Sequence, residues 1–254
     1  MSKVIAMAGK GGVGKTTVSA LVTRYFATKQ TDPLLAIDAD PNSNLGETLG
    51  LNIEKTVGDI REDFMKDPQG VPSGMDKVLY LEMLMNQVLI EEKSYDLMVM
   101  GRQEGQGCYC MVNNILNRFA DELEKNYKYL LVDNEAGMEH LSRRTSGKVD
   151  MLLMVTDYAL RGLRAVGRIN EMLGDLKLDV REKGLIVNRA PEKLSQAFLD
   201  EVERIGVPIV ATIPDDGNLL DFDMEQRSLM ELPDDSPAVQ AVDRMMKKVV
   251  EAIG

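Results

Sequence analysis

The run Val4–Thr17, VIAMAGKGGVGKTT, leaves this chain few folds to choose from. Val4–Ala8 is apolar and has the composition of a buried strand. Glycines stand at 9, 11, 12 and 14, and Lys15, Thr16 and Thr17 follow. Val18, Leu21, Val22, Tyr25 and Phe26 then recur at three- and four-residue steps, the spacing of a helix with one apolar face. Strand, glycine loop and helix in that order match the phosphate-binding pattern G-x-x-x-x-G-K-[ST] over Gly9–Thr16. The chemistry asks for these residue types. A polyphosphate needs many donors converging on a small volume, and a loop of Gly9, Gly11, Gly12, Val13 and Gly14 can turn its amides inward. The helix start, with Thr16 and Thr17, adds the positive end of a dipole. Lys15 brings a mobile charge to the outer phosphates, and the Thr16 hydroxyl can ligate Mg²⁺.

The pattern predicts an α/β fold: a doubly wound, mainly parallel β-sheet with helices on both faces. The 254 residues contain no linker, repeat or low-complexity tract, so a single domain over 1–254 is expected. With 41 acidic residues against 30 basic the net charge is −11. Such a balance argues against nucleic acid, which is bound by neutralising phosphates, and against a polybasic membrane anchor. No stretch nears the roughly 20 apolar residues that span a bilayer. The strand at the N-terminus leaves no room for a signal peptide. The two cysteines are no disulfide framework, so a reducing cytoplasm is expected.

Further strands end in acids. Leu34–Ile37 leads to Asp38 and Asp40, which point into the crevice at the carboxyl ends of the strands. Lys128–Asp133 is a buried strand whose final Asp133 matches the second acidic motif of P-loop enzymes, a magnesium holder. Between them, 48–67 reads as loop and short helix, 68–74 as loop, 76–92 as helix and 96–100 as a third strand. That strand runs into a loop with Cys108 and Cys110, before a helix that starts near Asn113. A helix N-terminus lowers thiol pKa and favours the metal-binding thiolate. A zinc or square-planar nickel site wants about four ligands, and one chain offers two thiolates. His140 reads as an ordinary polar residue. A two-fold axis through the loop would supply four thiolates from two chains.

Lys10 lies inside the glycine loop, where the general pattern asks for nothing. The loop GKGGVGKT resembles the deviant P-loop of the family that includes nitrogenase iron protein, septum-positioning and partition ATPases, and metallochaperone ATPases. The resemblance implies an ATPase in which Lys10 reaches the partner subunit's nucleotide. It also implies that Asp40 positions the attacking water, that Asp38 helps hold magnesium, and that the Gly137 amide senses the γ-phosphate. The run VMGRQEGQGCYCMVNN resembles CooC- and AcsF-type ATPases, which mature carbon monoxide dehydrogenase and acetyl-CoA synthase. That implies a homodimer carrying Ni²⁺, or Zn²⁺, on Cys108 and Cys110 for a nickel client enzyme. Two alternatives stand beside it: an iron–sulfur electron-transfer ATPase, and a metal-free positioning ATPase.

Downstream, 151–156 reads as a strand and 160–176 as an amphipathic helix. The family resemblance gives Asn188, next to Arg189, the adenine edge, and makes Pro214 and Asp215 a loop packed on the base. The segment 238–253 is amphipathic but lacks Trp and Phe and carries Asp243 and Glu251, so it is expected to pack on the sheet.

Overall fold

The computed structural model describes residues 2–67, 70–102, 123, 125–135, 148–174 and 178–254. Its centre is strand β1 (Lys3–Gly9). The other strands are β2 (Leu34–Ala39), β3 (Leu89–Glu91), β4 (Asp96–Val99), β5 (Tyr129–Asn134), β6 (Lys148–Asp157), β7 (Asp179–Ala190) and β8 (Ile209–Pro214). They form one sheet in the order β3-β4-β2-β5-β1-β6-β7-β8. Every pairing is parallel except β3 with β4. The doubly wound, mainly parallel α/β architecture is therefore present.

Side chains of β1 alternate between two cores, as a period of two requires. Ile5 and Met7 face one, with α1 (Lys15–Lys29) and α8 (Pro237–Ile253). Val4, Ala6 and Ala8 face the other, with α3 (Val57–Lys66), α4 (Lys77–Asn86), α5 (Leu160–Met172) and α6 (Gln196–Ile205). Among the described residues there are also two shorter α-helices, α2 (Asn44–Thr48) and α7 (Gly217–Met224). On the first face Phe26 is wholly buried, its ring 4.8 Å from that of Tyr129.

Several expectations change. The helix read over 76–92 ends at Asn86, and Leu89–Glu91 forms an antiparallel edge strand on β4. Leu89 and Ile90 turn to opposite faces of the sheet, and each finds apolar cover there. The helix read over 160–176 ends at Met172. The stretch 48–67 is loop and short helix as expected, the helix being α3, fixed by a reciprocal cap between Thr56 and Asp59. Helices α6 and α7 were not foreseen. The C-terminal helix packs as expected, with Val239, Val242, Met246, Val249 and Ile253 all buried. The expected helix near Asn113, Cys108, Cys110, Gly137 and His140 lie outside the described residues. Among the described residues no helix is long and apolar enough to cross a membrane.

Candidate nucleotide site

The loop between β1 and α1 has the shape an anion needs. Gly14 precedes α1 at φ 91°, a left-handed conformation that favours glycine. Gly9 has a second constraint: a Cβ there would stand 2.3 Å from the Val155 carbonyl oxygen on β6. Helices α3, α4, α6, α7 and α8 each start with a side-chain cap from Thr56, Asp76, Ser195, Asp216 and Ser236. Helix α1 has none and carries no acid in its first turn. Its first amides are left for an external acceptor, which suits a phosphate. Lys15 is buried, with its ammonium 3.4 Å from the Lys10 carbonyl oxygen. Lys10, Gly11 and Gly12 are exposed.

Two acids meet beside the loop. Asp38 and Asp133 are direct partners in the β2–β5 register, and both are buried. The Asp38 Oδ1 accepts from the Asp40 N–H at 3.1 Å, and its Oδ2 from the Leu45 N–H at 2.9 Å. Burial pushes the Asp38 carboxyl up to about 7; those two amides oppose the shift, and the charge of Asp133 adds to it. Burial likewise pushes Asp133 up to about 6, against the Thr16 and Ser19 hydroxyls and the Lys15 charge, which face it. Neither Asp133 oxygen has a hydrogen bond of normal geometry. The Ser19 hydroxyl and the Asn134 Oδ1 are also buried without a donor or acceptor of that quality.

This is a polar pocket in want of a cation. Hard oxygen donors, two of them carboxylates, suit Mg²⁺, which takes one or two protein carboxylates and fills its shell with water and phosphate oxygens. The expected set Thr16, Asp38 and Asp133 is brought together, and Ser19 joins it. Ser19 could have been read from its place three residues after Thr16, on the same side of α1. Among the described residues no group of three or more His, Cys, Asp or Glu forms a metal cage.

Asp40 does two things at once. Its Oδ1 accepts from the Asn42 N–H and from Asn42 Nδ2, both at 2.9 Å, and so builds the turn after β2. Its other oxygen accepts no hydrogen bond from the described residues and could take one from a water.

Asn188, Arg189, Pro214 and Asp215 line one cavity of about 460 Å³, together with Thr17. Its far wall, not foreseen from the sequence, is made by Glu47 of α2 and by Phe222 and Arg227, whose guanidinium lies 3.9 Å from the Phe222 ring centre. Asn188 is nearly buried, and its Nδ2 donates to the Val13 carbonyl at 2.9 Å. That amide would also meet a Cβ on Gly14 at 2.3 Å. The residue expected to read the base thus braces the phosphate loop as well, which leaves its oxygen for a base donor. Asp216, next to Asp215, is buried. Its Oδ1 caps α7 through the Asn218 N–H at 3.0 Å, and its Oδ2 accepts from Ser236 Oγ at 2.6 Å and the Ala238 N–H at 3.1 Å at the start of α8. Burial pushes this carboxyl up, but those donors outweigh it and hold it below its ordinary value.

Residues 4–229 match the family described as the CobQ/CobB/MinD/ParA nucleotide binding domain. An uncharacterized ATP-binding protein of Methanocaldococcus jannaschii is 38% identical, over 97% of this chain and 98% of its own. The carbon monoxide dehydrogenase accessory protein CooC of Rhodospirillum rubrum is 27% identical, over 98% of this chain and 97% of its own. Among solved structures, the MinD cell division protein of Aquifex aeolicus superimposes with a TM-score of 0.72 at 25% identity, covering 98% of this chain and 97% of that one. With the fold, the phosphate loop and the acid pair in place, the chain belongs to the CobQ/CobB/MinD/ParA nucleotide-binding family and is a P-loop ATPase.

Proposed function

We propose that this ATPase is a metallochaperone working in the cytoplasm as a homodimer, with 1–254 as its single domain. It would carry one soft metal ion, nickel or zinc, on Cys108 and Cys110 of two subunits to a client of the carbon monoxide dehydrogenase/acetyl-CoA synthase class. One observation carries the reading. The chain has only two cysteines, which follow β4 in the sequence as a pair, and the residue just after that strand is hydrogen bonded to Asp38: Met100 N–H to the Asp38 carbonyl at 2.8 Å. The thiolate pair and the nucleotide's acid therefore follow neighbouring strand ends. The likeness to CooC supports the same direction.

In this reading the α1 amides and Lys15 hold the β- and γ-phosphates, and Lys10 of the partner subunit offsets charge on the transferring group. Thr16, Asp38 and Asp133 would hold Mg²⁺, which neutralises phosphate charge. Asp40 orients the water, and the Gly137 amide reads whether the γ-phosphate is present. Asn188, Arg189, Pro214 and Asp215 hold the base. Dimer closure and opening then set how firmly the four thiolates keep their metal.

The test is metal content per chain after anaerobic loading, with and without ATP, for the parent and for Cys110→Ser. About one ion per two chains, lost in the variant, is the expected result. One ion per chain, unchanged by the substitution, rejects the shared site. Acid-labile sulfide and a brown colour would point to the iron–sulfur alternative instead. The MinD-like fold favours a second reading, a positioning ATPase without metal. Retained function after replacement of both cysteines would decide for it.

A further inference from the structure

The chain that leaves β4 is held from two sides. The Met100 N–H donates to the Asp38 carbonyl at 2.8 Å, and the Met100 carbonyl accepts from the Gly58 N–H at 2.9 Å. The Arg102 carbonyl accepts from Nη2 of the buried Arg61 at 3.2 Å. Between them Gly101 takes φ 64° and lies against Thr56, where a Cβ would stand 2.3 Å from the hydroxyl oxygen. On the other side a Cβ on Gly58 would stand 2.5 Å from the Arg102 carbonyl oxygen. Two glycines therefore let the start of α3 press directly on the exit of β4. That start has little slack: the Thr56 hydroxyl accepts from the Asp59 N–H at 3.2 Å, and Asp59 Oδ2 accepts from the Thr56 N–H at 2.8 Å.

We infer that this junction, with Arg61 as its positioning residue, passes occupancy of the nucleotide site to the chain beyond Arg102. The inference rests on the functional reading above and adds its regulation. Asp38 sits in the acid pair on one end, and Cys108 follows Arg102 by six positions on the other. When Asp38 shifts, Met100 shifts with it, because one hydrogen bond joins them. Gly58 follows Met100 and brings the start of α3. Arg61, one turn further on, then draws Arg102. Each link is a contact between described residues, and removing Arg61 cuts the last one. The measurement reads the two ends together.

The chain's two cysteines make thiol alkylation a clean reporter of the far end. In the parent, a non-hydrolysable ATP analogue with Mg²⁺ should slow iodoacetamide labelling about fivefold, a coupling of ordinary size. Arg61→Met keeps the buried stem and drops the donors. It should leave the KM for ATP within about twofold while shrinking the nucleotide effect on labelling to less than about twofold. Arg61→Lys should restore most of the effect. Should Arg61→Met not fold, Gly101→Ala, which forces the junction open from the strand side, is read in its place. If a folded junction variant keeps the full nucleotide effect, the inference fails while the functional reading stands. If nucleotide leaves the parent's labelling unchanged, the functional reading fails and takes the inference with it.

Discussion

Asp133 holds its place beside Asp38 without a hydrogen bond of normal geometry, so it is the cleaner of the two acids to alter. Asp38 accepts from two amides on two different oxygens, and an asparagine there would turn an NH₂ toward one of them. Burial holds both carboxyls above the ordinary aspartate value of 3.8 in the folded chain, at about 7 for Asp38 and about 6 for Asp133. Between those values the folded state holds protons that the unfolded state has released. Stability is therefore whole below 3.8 and is lost as the pH rises through about 6 to 7. Urea unfolding in EDTA should show a lower midpoint at about pH 8 than at about pH 5. Asp133→Asn should be more stable than the parent at the higher pH by about 1–3 kcal/mol, and Mg²⁺ should close the gap. A parent midpoint that is flat or rising over this range would refute the account. Asn188 allows a second test. Asn188→Ala removes both the brace on Val13 and the proposed base acceptor, so the KM for ATP should rise about 10- to 100-fold, and steady-state kinetics with ATP and GTP should show weaker discrimination.

The elements differ in how far the sequence announced them. The phosphate loop could be read at once, because Gly9, Gly14 and Lys15 occupy positions where few other residues would serve. The acids at 38 and 133 were legible as strand-end carboxylates. Their pairing was not, since only the β2–β5 register brings them face to face. Helix α4, KVLYLEMLMN, is apolar nearly all round and offers no phase from which to place its end. Strand β3 is three residues long and owes its existence to β4. Asn188 was read for the base, but its bond to Val13 depends on β7 lying across the sheet from the loop, which no local pattern records. The cap at Asp216 belongs here too. One carboxylate serves the starts of α7 and α8, so Asp216→Ala should cost about 2–4 kcal/mol in chemical denaturation, more than a single cap usually contributes. Its lowered pKa gives stability that is present above the ordinary aspartate range and lost as the pH falls through its folded value, the opposite slope to the acid pair. A loss below about 1 kcal/mol would show that one of the two helices does not depend on it.

Across the whole molecule the chemistry gathers at the carboxyl ends of β1, β2, β5, β7 and β8, with Lys10 exposed at the same end. A cation in the open, next to a buried one, suits contact with a second subunit better than contact with its own phosphates. Lys10→Ala should therefore leave nucleotide affinity within about threefold but lower kcat by about 10²-fold or more. Light scattering should show the ATP-bound variant mostly as monomer and the ATP-bound parent mostly as dimer. Equal turnover and equal association would remove Lys10 from the mechanism. The shared fastening at Asp216 also has a practical side. Helix α8 is pinned at its start to the loop that walls the candidate base cavity, so that first turn is not an idle place for a label. A dye attached there should brighten or dim as nucleotide arrives, turning the start of that helix into a gauge of the protein's fuel.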